Sequence, residues 1–206
     1  MTARRLVSSL CLALGAAPVL AHVPYMEGID YSKGSPFEVK RVANTKAIYG
    51  WLQSGADVDY VDIPLVDPAT LAAEVDVQVC PALAEFLPSY AILGPGLPAP
   101  VEPIPVALPP GYGALVYPNL APGVERPTFY EPAGGHEYYE GIASTVQAAP
   151  PGRWGIIVWD PYGVGGDYVL SIGYLEKTVP SDYLLIARNL PIIRANGELH
   201  TPCTGN

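Results

Sequence analysis

The chain has 206 residues, with 20 acidic against 11 basic side chains and a formal net charge of −9. A balance of this sign argues against nucleic acid and against an anionic membrane surface as partners. Half of the residues are apolar, which excludes a disordered acidic tail.

The first 21 residues read as an export leader. Arg4 and Arg5 form a basic start, an apolar stretch runs from Leu6 to Leu20, and Val19-Leu20-Ala21 has the small-residue spacing of a cleavage site. The leader holds two of the eleven basic residues and no acidic one, so the processed chain carries 9 − 20 = −11. Cys11 lies inside the apolar stretch, away from the cleavage point, which disfavours a lipid anchor. No apolar run of about 18 residues follows, so no membrane span is expected after the leader. The expected location is the periplasm or the extracellular medium.

Twenty-four prolines, 21 glycines and 14 tyrosines point to an all-β domain with long ordered connections. Phe37–Val42 reads as a first strand, Ala47–Leu52 as a second and Asp57–Leu65 as a third. From Glu74 to Val79 the chain alternates, placing Val75, Val77 and Val79 inward and Glu74, Asp76 and Gln78 outward. Ser89–Leu93 is a short strand. Prolines 95, 98, 100, 103, 105, 109 and 110 then forbid a regular ladder and favour extended segments. This stretch reads as a surface crossover; a linker between two domains is the other reading.

Ala114–Tyr117 and Ser144–Ala148 are further strands. Phe129–Pro132 reads as an aromatic edge, and Gly134–Glu140 as a glycine-led loop. Arg153–Trp159 and Asp167–Tyr174 read as a hairpin, with Trp154, Ile156 and Val158 against Tyr168, Leu170 and Ile172. Ser181 and Asp182 suit the start of a short helix with Leu184, Leu185 and Ile186 on its apolar side, closed or kinked by Pro191. The expected organisation is a leader over 1–21, a single antiparallel β-sandwich of jelly-roll or Ig-like kind over 22–178, and a helix with an irregular tail packed on it over 179–206.

Cys80 and Cys203 remain after processing. An even pair in an exported chain suggests a disulfide that ties the tail to the body; two separate thiols are the alternative.

Two resemblances stand on quoted residues. Pro151–Val158 followed by Gly166–Ile172 resembles the closing hairpin of bacterial pre-peptidase C-terminal domains, which implies a jelly-roll-like sandwich. His22–Glu27, Trp51-Leu52, Gly94–Pro98, Phe129–Pro132, Trp159–Pro161 and Gly166–Tyr168 together resemble a loose group of uncharacterised exported prokaryotic proteins. That resemblance implies a single exported β-sandwich and transfers no catalytic residue.

Cleavage after Ala21 would put an α-amine and an imidazole on His22, a chelate for a borderline metal such as copper. This is similar to the histidine brace of lytic polysaccharide monooxygenases and periplasmic copper-resistance carriers, where a second histidine completes the site. His136 and His200 are the two candidates for it, and the implied role is a copper carrier or an oxidase-like protein. The other reading is a histidine that merely follows the cleavage point.

Asp57, Asp59 and Asp62 form one carboxylate group, and Glu27 with Asp30 another; either suits calcium or acid–base work, or the solvated face of a strand. No Gly-x-Ser-x-Gly elbow is present, and neither Cys80 nor Cys203 is flanked by a base, so nucleophilic catalysis is not expected. Tyr138, Tyr139 and Tyr162 are the rings expected to be exposed, as stacking sites for a carbohydrate or anchors for a protein partner. The expected function is an exported, non-catalytic binding or structural module, with copper binding at His22 as the rival.

Overall fold

The computed structural model describes residues 22–195, 200, 201 and 203. Residues 1–21, where the leader is expected, lie outside that set. No helix among the described residues is long and apolar enough to cross a membrane.

Among the described residues, twelve strands and one α-helix follow in chain order: β1 Val23–Met26, β2 Phe37–Glu38, β3 Lys46–Leu52, β4 Val58–Leu65, β5 Ala69–Gln78, β6 Ser89–Pro95, β7 Tyr112–Tyr117, β8 Thr128–Glu131, β9 His136–Tyr139, β10 Ser144–Ala149, β11 Gly152–Trp159, β12 Gly166–Ile172 and α1 Asp182–Arg194. They build two sheets. One runs β1-β3-β12-β5-β9-β8 with β10 also paired to β5; the other runs β2-β4-β11-β6-β7. The chain is therefore a β-sandwich with a short C-terminal helix.

Period-two alternation explains the core. Ile48 and Leu52 from β3, Val75 and Val77 from β5, and Tyr168, Leu170 and Ile172 from β12 face Val61 and Ile63 from β4, Ile92 from β6, and Trp154, Ile156 and Val158 from β11. The residues of β11 and β12 expected to meet do so, but across this core. They are not a hairpin: β11 pairs with β4 and β6, and β12 pairs with β3 and β5. Two adjacent apolar strands give the same facing whether they share a sheet or oppose one another.

The first strand is β1 rather than Phe37–Val42. It is a sheet edge paired in parallel with β3, where the missing N–H of Pro24 is tolerated. Only Phe37 and Glu38 of the expected first strand pair, with β4. The expected Gly134–Glu140 loop holds β9, which forms a hairpin with β8 and docks on β5.

Both outer faces are partly covered. Ile104 and Val106 of the proline-rich stretch pack on Ala91, Ile157 and Trp159 of the second sheet. That stretch joins β6 to β7, which are neighbours in one sheet, so it is a long hairpin connection and not an inter-domain linker. At its root Gly113 approaches closely: a Cβ there would lie 2.0 Å from the Pro98 carbonyl oxygen. On the first sheet, α1 lies beside β1, with the Asn189 amide donating to the Pro24 carbonyl at 2.9 Å. Pro191 sits inside α1, which continues to Arg194. Its buried side is Asn189, Leu190 and Ile193, while Leu184, expected on the apolar side, is exposed. The Cys80–Cys203 disulfide is formed, spanning 123 residues.

Candidate functional site

Several outward residues of β3 and β12 are apolar. Ala47 and Val169 are buried there with Tyr138 of β9, and Tyr49 packs on them. Above them α1 and the β8–β9 hairpin enclose a cavity of about 250 Å³. Its floor is Ala47, Tyr49, Val169 and Ser171; Leu190 and Ile193 form the helix wall; Phe129 and Tyr130 form the hairpin wall, with Tyr130 exposed at its rim.

Five side chains, besides the Ser171 hydroxyl, give this apolar hollow polarity. The hydroxyls of Tyr49 and Tyr138 share a hydrogen bond, and burial raises both, Tyr138 to about 12. Burial, then the neighbouring Glu74 carboxylate, raises Asp76, which accepts from the Gly141 amide at 3.1 Å. Glu131 turns back on its own hairpin and accepts from the amides of Ala133 and Gly134. His22 lines the same cavity; burial lowers its pKa, outweighing the carboxylates of Glu176 and Glu131, so its imidazole is neutral near pH 7. Glu131, an Asp76 raised to about 7 and so partly protonated near neutrality, and a neutral imidazole leave the wall with acceptors for a cation or a hydrogen-bond donor.

The three histidines separate. The Nε2–H of His136 donates to the Ile193 carbonyl at 2.7 Å, which leaves Nδ1 as its open lone pair. Ile193 lines the cavity that holds His22, while His136 is not part of that lining. His200 lies elsewhere. It stacks on Trp51, ring centroids 3.9 Å apart, while the neighbour of His22, Val23, pairs with Lys46 at the other end of β3. Five strand residues separate those points by about 16 Å. The structure does not bring His200 to His22: the disulfide fastens the tail at the opposite end of the sheet.

The tyrosines also divide. Tyr138, expected to be exposed, is buried beneath the cavity. Tyr139 is half-buried under Arg126, whose guanidinium lies 3.8 Å from the ring centroid. Tyr162 is exposed, as expected.

The acidic group of β4 splits as well. Asp57 precedes the strand and accepts from the amides of Gln53 and Val58. Asp62 takes a two-point contact from Arg153 on the outer face. Asp59 points inward. Asp57, expected as the first residue of this strand, lies just before it, since β4 begins at Val58.

Sequence reading missed the cavity lining on β3, β8, β12 and α1. One signal was available: Tyr49 and Val169 occupy strand positions that a two-layer sandwich would leave in water.

No known protein family and no curated protein matches the sequence. Among solved structures, the chain is similar to that of PliG from Aeromonas hydrophila, a periplasmic lysozyme inhibitor of g-type lysozyme. The two are 11% identical with a TM-score of 0.39, over 73% of this chain and 97% of that one. A likeness this slight carries no argument, and the fold stands on the strands and pairings above.

Proposed function

We propose that this protein is an exported, non-catalytic binding module whose ligand enters the cavity between the seven-stranded sheet and α1. The observation that carries the reading is the cavity itself: an apolar hollow of about 250 Å³, just below the usual size of drug-sized ligand pockets, with a few convergent polar groups suits a small ligand. The lining selects the ligand class. Phe129, Tyr130, Tyr49 and Tyr138 suit a ring or branched apolar body, and Asp76 and Glu131 suit an amine or another donor at one end. Export is supported by the leader-like first 21 residues and by the disulfide.

The test is ligand-observed NMR on purified protein with small aromatic amines, their neutral analogues, short oligosaccharides and aromatic acids. Amines should bind best, and Val169→Phe, which fills the floor, should abolish binding while the fold persists. Equal binding by wild type and Val169→Phe would overturn the reading. Preference for oligosaccharides, or none of these binding, would turn attention to Tyr162 and to a carbohydrate or protein partner.

A second reading is favoured by the position of His22. Neutral imidazoles ligate metals, and cleavage after Ala21 would add the α-amine. Of the two candidate partners, His136, whose ring bonds to the carbonyl of the cavity residue Ile193 and leaves Nδ1 open, is the one a brace would take here. Copper titration of N-terminally sequenced, processed protein checks it. Tight binding lost in both His22→Ala and His136→Ala supports a copper carrier or oxidase-like role; binding indifferent to either removes it.

A further inference from the structure

At the end of the sandwich away from His22, two carboxylate groups that are distant in sequence come together. Glu27 follows β1, Asp30 lies in the next turn, and Asp59 is the first core-facing residue of β4. One carboxylate oxygen of each lies within 4.8 Å of the other two.

Glu27 is fixed by two backbone amides, Tyr31 at 3.0 Å on Oε1 and Trp51 at 2.7 Å on Oε2. Asp59 is fixed by the Tyr168 hydroxyl at 2.7 Å on Oδ2. Its other oxygen, Oδ1, is fully buried and has no hydrogen-bond partner, and the residue is 0% exposed. A buried carboxylate oxygen without a partner is costly. Asp59 also heads a stripe that continues as Val61, Ile63 and Leu65, where packing alone would select an apolar residue. Asp30 is exposed and opens the cluster to solvent.

We propose that Glu27, Asp30 and Asp59 form a calcium site that bridges the two sheets. The donors are all oxygen, which selects a hard cation over copper or zinc. Their spacing lies within reach of one ion with ligands at about 2.3–2.6 Å, the rest of its shell being water on the Asp30 side. The ion would give Asp59 Oδ1 its partner and offset the repulsion of three clustered carboxylates. Because Glu27 belongs to the first sheet's chain segment and Asp59 to the second sheet, calcium would act as a clasp. The site is separate from the cavity and does not depend on its ligand.

The experiment uses the whole purified protein, stripped with a chelator. Thermal unfolding is followed with calcium, with magnesium and with neither. Terbium emission, sensitised by nearby Tyr168, Tyr31 and Trp51, reports occupancy directly. Calcium should raise the midpoint at about 10⁻⁴–10⁻³ M, the range of extracellular modules, and magnesium should act more weakly. Asp30→Asn, at an exposed position, should fold as wild type in chelator yet bind calcium at least about tenfold more weakly, since affinity follows ligand charge. Val169→Phe should leave the calcium response unchanged. An absent midpoint shift with no terbium emission, a full response retained in Asp30→Asn, or a magnesium response equal to that of calcium would each overturn the assignment.

Discussion

Tyr168 of β12 donates its hydroxyl to Asp59 of β4 at 2.7 Å, a polar link between the two sheets inside an otherwise apolar core. Both residues are essentially inaccessible to water. Burial raises both, Asp59 to about 8, with Glu27 as a second cause for Asp59. Tyr168→Phe keeps the ring and removes the donor, leaving Oδ2 of Asp59 without its partner beside the already unpartnered Oδ1. The expected cost is roughly 1–3 kcal/mol, read as a lower urea midpoint at unchanged slope. A loss within error would mean that Asp59 is satisfied by other means.

The same ring dictates a neighbour. A Cβ on Gly50 of β3 would lie 2.4 Å from both Cζ and the hydroxyl oxygen of Tyr168. The ring cannot retreat without breaking the contact to Asp59. Gly50→Ala should therefore destabilise by about 1–3 kcal/mol, although alanine is otherwise acceptable in a strand. Combining it with Tyr168→Phe should cost less than the two losses added, since one ring mediates both. Strict additivity in a double-mutant cycle would refute the shared cause.

Cys80 and Cys203 close a loop of 123 residues. Chain-entropy reasoning puts the stabilisation from such a loop near 5 kcal/mol as an upper figure. Replacing both cysteines by serine should lower the unfolding midpoint clearly and release Trp51 from its stack on His200. Tryptophan fluorescence that changes while the cavity still binds its ligand would locate the effect at the tail end of the sheet. An unchanged spectrum would contradict the link between disulfide and stack.

How much of this was readable beforehand follows from local signals. Strands β3 to β7 and β10 to β12 were visible as apolar, β-branched and aromatic runs between turn residues, most clearly in β5, where burial of one flank leaves a period of two. The inward positions of β5, Val75 and Val77, are buried as expected; Asp76, expected outward, is buried too, because a third layer covers that face. Nothing local announces such a layer. The partner of β11 was invisible for a related reason: side-chain alternation states which flank is buried, not which sheet supplies the neighbour. β1 and β9 have four residues each, too few for a periodic pattern, and Pro24 and the preceding glycines hid them. The cavity depends on these two strands, so most of the site was hidden as well. His22 was found from chemistry, since a histidine after a cleavage signal is conspicuous without any fold. The joining of Glu27 and Asp30 with Asp59 needed tertiary structure, because the two groups are about thirty residues apart in the chain.

Lys46 supplies a pH prediction. Its ammonium is almost fully buried and donates to the carbonyls of Arg41 and Asn44 at 2.8 and 2.7 Å. Burial, then Arg41, lowers it from 10.5 to about 8, with Asp182 opposing. The unfolded state then holds more protons than the folded state between about pH 8 and 10.5, so this group makes stability rise with pH across that window. Below pH 8 its contribution is constant. The stability of wild type relative to Lys46→Met should climb by roughly 1–3 kcal/mol from pH 7.5 to 10, measured by urea unfolding at each pH. A flat or falling difference would show that Lys46 keeps an ordinary proton affinity when folded.

Asn189 tests whether α1 controls the cavity. It is buried, and its amide nitrogen donates to the Pro24 carbonyl, which ties the helix to the edge strand beside His22. Leu190 and Ile193, the next buried positions of α1, form the cavity wall. Asn189→Leu removes the donor and leaves a buried carbonyl unpaired, at a cost of roughly 1–3 kcal/mol. The loss should be local. Amide exchange should quicken in α1 and β1 while the core strands β5 and β11 stay protected, and affinity for the cavity ligand should fall because one wall is no longer held in place. Faster exchange in α1 with unchanged affinity would mean that the helix covers the sheet without shaping the site.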